Sequence, residues 1–380
     1  MRNTIIDNLR GICMLGVIAI HIGSLALAPN SFTLYVILEI LSRYSVPAFF
    51  FISGYGLACT DKALITGESS FSYREFMKKR LKGAGLPYLS WSLFYLFYFW
   101  LILPPGYVSW NPLHLAFVLF FGLGCYHLYF MVILLWFYGS YPIWRKLLQI
   151  INKYSIELGL ALLFCFQLAF NWWTTHPGID VTNWNALAKN FFIYRLNYLP
   201  IHYLLIFMGG CLAALHWERF QCILRKNKLL IIALYIASII YDVGSCYEAH
   251  IYKNYNLLDL ANTYHQLSPQ GLLYTITSIL FFCLALDKLE AKAKTEGLWS
   301  KLLGAITLLS ANSMLIYFVH PLILDWMTSF YNKFGIVMTV KKVSLSYVLL
   351  VIFSLLMSIL LTKLFQRSKL LSLLFTGKSK

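Results

Sequence analysis

The sequence predicts an all-α fold: a polytopic integral membrane protein with about ten transmembrane helices and both termini in the cytoplasm. Of its 380 residues, 59% are hydrophobic and only 12% are charged, about half the charged fraction of an ordinary soluble domain. Apolar runs of about 20 residues, enough to cross a bilayer, recur along the chain. No stretch remains for a sizeable soluble domain, so we expect residues 1–380 to form a single membrane-embedded domain.

The individual spans follow from the apolar runs between charged breaks. The run 112–124 is short and begins after several prolines, so it predicts an interfacial or re-entrant helix rather than a further crossing. Ten longer runs predict the spans: 11–28, 34–58, 86–103, 127–145, 156–173, 197–215, 229–246, 270–286, 306–328 and 343–364.

The charge distribution predicts the orientation. The net charge of +16 is carried by short clusters between the spans, which indicates the positive-inside rule and contact with membrane lipid rather than nucleic acid. With the N-terminus inside, alternate loops collect 24 of the 31 Lys and Arg residues. Seven are left outside: Arg43, Lys189, Arg195, Lys253, Lys333, Lys341 and Lys342. The eight cysteines form no C-x-x-C pair, so no metal site or disulfide is predicted.

A histidine within the first span is the first candidate for chemistry, because polar groups inside a bilayer are costly unless they are paired or hydrated. His21 follows Arg10 by eleven residues, about 16 Å along a helix. A neutral imidazole can take the proton of a hydroxyl, which makes His21 a candidate general base. A histidine that only packs, hydrogen-bonded to a neighbouring helix, is the alternative.

Two further spans carry polar or small residues. In the second span, Pro47 predicts a bend, and Ser53 and Gly54 permit close approach of a helix or a ligand. In the ninth, Ser313, Tyr317 and His320 lie at i, i+4 and i+7, which predicts one helical face turned to the interior or to a cavity. Both patterns are also typical of a tightly packed bundle.

Four cations precede the third span: Lys78, Lys79, Arg80 and Lys82. Such a cluster at a membrane entry can bind anionic lipid, or the phosphates of a nucleotide-like donor such as coenzyme A. Both interpretations remain open, as does a purely topological role.

Taken in this order, the motifs resemble acyltransferase family 3, the membrane-bound O-acyltransferases of bacterial surface glycans, from about residue 5 to residue 360. That family has an Arg and a His separated by ten residues in the first span, a Pro-x-Phe-Phe-x-x-Ser-Gly-aromatic pattern, a His-Leu-aromatic-Phe segment and a late Tyr-x-x-His-Pro. The matching residues here are Arg10 with His21, Pro47 to Tyr55, His127 to Phe130, and Tyr317 with His320 and Pro321.

The resemblance implies a multi-pass protein of the bacterial inner membrane. It would move an acyl group, expected to be acetyl, from cytoplasmic acetyl-CoA or another acyl-CoA to a hydroxyl of a surface glycan or lipid-linked saccharide, without a bound cofactor. His21 would be the catalytic base. The donor-binding residues would be Arg10, Arg80, Lys82 and Lys79, and the cavity would be lined by Ser53, Tyr55, His127, Ser313, Tyr317 and His320.

One departure concerns the donor loop, where the family has two Arg residues three positions apart. Arg80 fills the first position and Gly83 the second. Lys79 or Lys82 would have to substitute, although Lys lacks the bidentate contact of Arg. A transporter or flippase of a glycan or lipid precursor is the alternative function, and the absence of internal repeats in the sequence argues against it. A subunit that keeps the fold without catalysis is a second alternative.

Overall fold

The computed structural model describes residues 3–26, 29–61, 64, 71–176, 178–295 and 297–378. These residues form helices and no strand, so the all-α prediction is confirmed. The helices are α1 Thr4–Ala26, α2 Phe32–Leu38, α3 Ser45–Thr60, α4 Tyr73–Arg80, α5 Leu86–Ile102, α6 Pro112–Phe121, α7 Tyr129–Gly139, α8 Tyr141–Tyr154, α9 Ile156–Thr175, α10 Ala186–Ile193, α11 Arg195–Tyr198, α12 Leu204–Leu215, α13 Trp217–Lys226, α14 Lys228–Tyr252, α15 Leu257–Thr263, α16 Pro269–Ala293, α17 Gly297–Lys333, α18 Val340–Phe365 and α19 Lys369–Thr376.

The polytopic character is also confirmed. Within the described ranges, eight helical segments are long and apolar enough to cross a membrane. A ninth is present if Pro200–Leu215 and Trp217–Lys226, which meet at 103°, are counted as one span. These segments match nine of the ten predicted runs. The orientation of the termini remains a prediction.

The predicted span 127–145 is wrong as a single crossing. The chain forms α7, of 11 residues, and then starts α8 after Ser140. Pro142 lies at the start of α8, where its missing N–H costs nothing, and this permits the new helix. The run 112–124 forms the ten-residue α6, which ends at Gly122 with φ +71°. Ten residues rise about 15 Å, half a bilayer core, so this helix is as short as predicted.

The chain divides into two compact units, and the prediction of a single domain stays a prediction. The first unit comprises Met1–Thr60, Leu162–Thr175 and Leu205–Ile359. The second comprises Asp61–Ala161, His176–Leu204 and Leu360–Lys380. Of the candidates, the histidines His21 and His320 lie in the first unit, and the cation cluster before α5 lies in the second.

Two glycines allow α3 and α12 to touch through their backbones in the first unit. A Cβ built on Gly54 would lie 2.1 Å from the carbonyl oxygen of Phe207, and one on Gly210 would lie 2.0 Å from that of Phe51. The Cys211 thiol donates to the Gly54 carbonyl oxygen at 3.2 Å. Small residues of this kind let membrane helices approach closely. The prediction for Gly54 is therefore confirmed as helix packing.

The bend predicted at Pro47 lies earlier in the chain. Pro47 is the third residue of α3, where no intrahelical N–H bond is lost. The break falls before it, where α2 ends and a 3₁₀ turn, Ile40–Ser42, follows. Arg43 comes directly after this turn.

Arg43, which the charge distribution assigns to the outer side, is buried inside the protein. Its side chain is 4% exposed and lies 3.6 Å from Asp242 of α14, which is 0% exposed. The guanidinium also donates to the Tyr35 hydroxyl at 2.5 Å. Among the described residues, neither carboxylate oxygen of Asp242 has a hydrogen-bond partner. This ion pair connects the break between α2 and α3 to α14.

In the second unit, α4 runs into a π-helical turn, Leu81–Gly85, and continues as α5. The short α19 lies against α5 and this turn, and the indole N–H of Trp91 donates to the Phe375 carbonyl oxygen at 3.2 Å. The π-turn therefore follows directly on Arg80, between the cation cluster and the third span.

We expect Gly210→Ala to lower the free energy of unfolding by about 1–3 kcal/mol, because the added methyl would overlap the Phe51 carbonyl. Its neighbour provides a matched control. A Cβ on Gly209 meets its nearest atom at 4.0 Å, so Gly209→Ala should be tolerated. Thermal unfolding of the two variants in detergent tests this, and equal midpoints would contradict the backbone contact.

Asp242→Ala should lower the free energy of unfolding by about 3–5 kcal/mol, because it leaves the Arg43 charge buried without its partner. Glu248→Ala on the same helix is the control, since Glu248 and Lys253 form an exposed pair at 3.3 Å and should change stability little. Unfolding midpoints of purified protein measure both effects. Similar values for the two variants would show that the buried pair is not stabilising.

Candidate functional site

The first span, α1, is held against α17 by a close backbone contact. A Cβ on Gly11 would lie 2.4 Å from the Ile306 carbonyl oxygen and 3.2 Å from the Ser310 amide nitrogen. Beside it, the Thr307 hydroxyl donates to Asn8 Oδ1 at 2.9 Å, and the Ser310 hydroxyl donates to the Asp7 carbonyl oxygen. Glycine at position 11 therefore allows these two helices to touch at one level.

This contact sets the register of two histidines. His21 lies ten residues after Gly11, and His320 lies ten residues after Ser310. Ten residues advance about 15 Å along each helix, so two helices that run in the same direction bring the histidines to one level. Their ring centroids are 5.0 Å apart with an interplanar angle of 31°.

His320 is fully buried, and its Nδ1 lies 3.0 Å from the Ile316 carbonyl oxygen. Because a carbonyl can only accept, Nδ1 carries the proton, and Nε2 of the neutral ring holds the lone pair. The next residue, Pro321, has no N–H and therefore cannot donate the helical hydrogen bond to the Tyr317 carbonyl. The Tyr-x-x-His-Pro motif thus places an imidazole and a polar backbone group together inside the bundle.

The predicted polar face of α17 is turned inward. Ser313 is 6% exposed, Tyr317 is half-buried, and the Tyr317 ring centroid lies 6.3 Å from that of His320. Ser310, on the same face, contacts α1. An interior-facing surface was one of the two predicted possibilities, and the chemistry of this face remains a prediction.

Arg10 and His21 share a face of α1. Eleven residues at 100° per residue bring the second side chain to within about 20° of the first, some 16 Å farther along the axis. The Arg10 side chain is 38% exposed and lies 3.8 Å from Asp7 Oδ1. The helix therefore carries a cation and an imidazole on one side, separated by three turns.

Tyr55 lies near the start of α1, not near His21. Its hydroxyl accepts a hydrogen bond from Asn3 Nδ2 at 2.7 Å, eighteen residues before His21, or about 27 Å along a helix. Ser53 lies on α3 together with Tyr55 and is half-buried. Of the cavity candidates in this unit, the structure brings His320 to His21 and has Tyr317 beside His320. Tyr55 lies at the Arg10 end.

Glu290 is a polar residue at this end that sequence reasoning missed. It accepts from the Thr4 hydroxyl at 2.9 Å and from Asn8 Nδ2 at 3.2 Å. The only sign of this residue in the sequence is that it is a carboxylate within the basic stretch after the eighth span. Glu290 connects the start of α1 to the end of α16.

The donor candidates of the second unit surround the π-turn. Arg80, the last residue of α4, is half-buried, with its guanidinium carbon 5.2 Å from the Phe76 ring centroid and 5.6 Å from that of Tyr138. Lys79 and Lys82 are exposed. The aromatic rings orient the arginine, while the lysines are open to solvent or ligand. π-turns occur frequently at functional sites, and this one was not predicted.

His127 is 2% exposed and lies in the turn between α6 and α7. Its ring centroid is 5.5 Å from that of Tyr95 and 5.7 Å from that of Tyr126, each in an edge-on arrangement. The residue is thus part of an aromatic core in the second unit, and its predicted cavity role stays a prediction.

The comparisons with known proteins agree with these motifs. The family model Acyl_transf_3, described as an acyltransferase domain, matches residues 3–363, nearly the whole chain. No curated protein and no solved structure matches the chain. The matched region includes α1, α17, the π-turn and all the candidate residues. The chain therefore belongs to the Acyl_transf_3 family and is a membrane acyltransferase.

Proposed function

We propose that this protein is an O-acyltransferase of the bacterial inner membrane. It moves an acyl group, expected to be acetyl, from a cytoplasmic acyl-CoA to a hydroxyl of a surface glycan or lipid-linked saccharide. The observation that carries the proposal is the pairing of His21 with His320 at 5.0 Å inside the bundle. No bound cofactor or metal is needed for this chemistry, because a thioester reacts with a positioned alcohol and a general base.

The pairing favours a neutral imidazole at this position. Two unit charges 5 Å apart repel by about 3 kcal/mol at an effective dielectric constant of about 20. Protonation of both rings at the same time is therefore unfavourable. One neutral ring is therefore available as a base near neutral pH. We assign this role to His21, because it is half-buried whereas His320 is fully buried.

In the proposed reaction, His21 accepts the proton of the acceptor hydroxyl as the oxygen attacks the thioester carbonyl carbon. The carbon–sulfur bond then breaks, and the coenzyme A thiolate takes the proton from His21. His320 keeps the proton on Nδ1 against the Ile316 carbonyl and limits the charge that the pair can hold. The net result is an ester and free coenzyme A.

Helix α1 suggests how the acyl-CoA donor is oriented. An acyl-CoA carries its phosphates at one end of a long flexible arm and its thioester at the other. Arg10 and His21, about 16 Å apart on one face of α1, fit these two ends. In the second unit, Arg80, Lys79 and Lys82 are proposed to bind donor phosphates, where Arg80 would supply the bidentate contact that Lys cannot.

We expect His21→Ala to reduce transfer of labelled acetyl from acetyl-CoA to endogenous glycan by at least about 100-fold, since it removes the base. The measurement uses membranes of a strain that lacks this chain and is complemented with each variant. His114→Ala, at an exposed position on α6, is the control and should label normally. Normal labelling by folded His21→Ala protein would exclude the proposed role, and glycan export without labelling in the wild type would support the transporter.

Arg80→Ala should raise the acetyl-CoA concentration for half-maximal labelling by about tenfold or more, because one charge-assisted contact to a phosphate is lost. Arg80→Lys should recover only part of this effect. Arg74→Ala provides a matched control, because Arg74 is an exposed cation six residues earlier on α4. If Arg80→Ala and Arg74→Ala have the same donor requirement, Arg80 is not a donor contact.

A further inference from the structure

The π-turn has an open face beside the cation cluster. Gly83, at its centre, is exposed, and a Cβ built there meets no described atom within 4 Å. Lys82 precedes this glycine and is also exposed. A ligand can therefore approach the backbone of the turn from this side.

The last helix, α19, is fixed next to the turn by aromatic contacts. The Phe375 ring lies 5.5 Å from the Trp91 ring, edge-on, and is stacked at 4.9 Å on Phe365. Trp91 also donates to the Phe375 carbonyl oxygen. The C-terminal end of α19 thus has a defined position against α5.

The residue that ends α19 touches the π-turn directly. Gly377 has φ +67°, and its N–H donates to the Leu373 carbonyl oxygen at 3.0 Å. A Cβ on Gly377 would lie 2.6 Å from the Gly83 carbonyl oxygen and 2.7 Å from Gly83 Cα. Only glycine combines this left-handed conformation with so close a contact.

The backbone contact has an exposed lysine next to each of its two glycines. Lys82 adjoins Gly83 and the exposed Lys378 adjoins Gly377, and neither residues 76–91 nor residues 360–378 contain an acidic residue. Like charges collected in this way without carboxylates are unfavourable unless an anion binds between them. We propose that Lys378 is a further binding residue for a phosphate-bearing ligand at the π-turn, where it acts together with Lys82 and Arg80.

This inference rests on the proposed function, because it takes the ligand to be the phosphates of the acyl-CoA donor. An anionic lipid headgroup offers the same chemistry, and it is the alternative source. Gly83 stands where the family has a second Arg. With Lys378 added, the turn can still present several cations to the phosphates. The ligand would lie over the open side of Gly83. There it would not displace the groups that hold α19 in place.

The test measures coenzyme A binding to the purified full chain in nanodiscs of neutral phosphatidylcholine. Lys378→Ala should weaken binding at least about tenfold, as expected for the loss of one charge-assisted contact. Lys369→Ala is the matched control, because it removes the same charge from the other end of α19, where the side chain is also exposed. It should change the dissociation constant less than about twofold.

A second variant tests the position of the lysine rather than its charge. Gly377→Ala keeps Lys378 but moves it from the turn, and should weaken coenzyme A binding to a similar extent. Gly335→Ala is its control, since Gly335 has a comparable φ of +60° with open space around it. This control separates the loss of the contact from the strain of a left-handed alanine.

The outcomes separate the two proposals. Wild-type protein that binds no coenzyme A contradicts the proposed function and this inference together. Wild-type binding that Lys378→Ala and Gly377→Ala leave unchanged contradicts only the role of Lys378. If Lys378→Ala weakens the interaction with phosphatidylglycerol in nanodiscs but leaves coenzyme A binding unchanged, the ligand is a lipid headgroup. The donor assignment of Lys378 is then wrong.

Discussion

The contact between α1 and α17 is the constraint on which the candidate site depends. Two imidazoles can meet inside a bundle only if their helices approach closely, and Gly11 permits this where the Ile306 carbonyl faces it. Hydrogen bonds from Thr307 and Ser310 fix the axial position of the helices at this level. In lipid, which gives helices no hydrophobic reason to associate, such packing and hydrogen bonding supply the attraction. The equal spacing from this contact then determines that His21 meets His320.

Much of this arrangement was predictable because the membrane restricts what a sequence can contain. A histidine inside an apolar run has few explanations, so His21 and His320 were found individually. The inward face of α17 followed from helical periodicity. The pairing of the two rings was not predictable, because it depends on the register between helices that are about 300 residues apart in the chain. Single-helix reasoning also could not separate Tyr55 from His21, since only the Asn3 contact shows which end of α1 it occupies.

The errors have physical causes too. The burial of Arg43 is not predictable from its neighbours in the sequence, because its partner, Asp242, lies on a helix far along the chain. The bend assigned to Pro47 occurs before it, because proline is tolerated in a first helical turn and therefore marks a start as readily as a kink. The run 127–145 predicts one continuous span because its apolar composition hides the restart at Ser140. The π-turn has no reliable sequence signature beyond its two glycines.

Two polar pairs of the first unit, Arg43 with Asp242 and His21 with His320, differ in a way that bears on the mechanism. The pair of Arg43 and Asp242 is charged, and its removal from water is costly, which suits a fixed structural connection rather than a group that changes charge. A carboxylate base at the position of His21 would carry the same cost in every resting molecule. An imidazole is neutral until it accepts a proton, so the bundle can hold it without a counterion, and in the proposed reaction it is charged only while the acceptor oxygen attacks. The proposed base is therefore the residue type that a low-dielectric site tolerates best, and charge repulsion would keep its neighbour His320 neutral while His21 holds the proton.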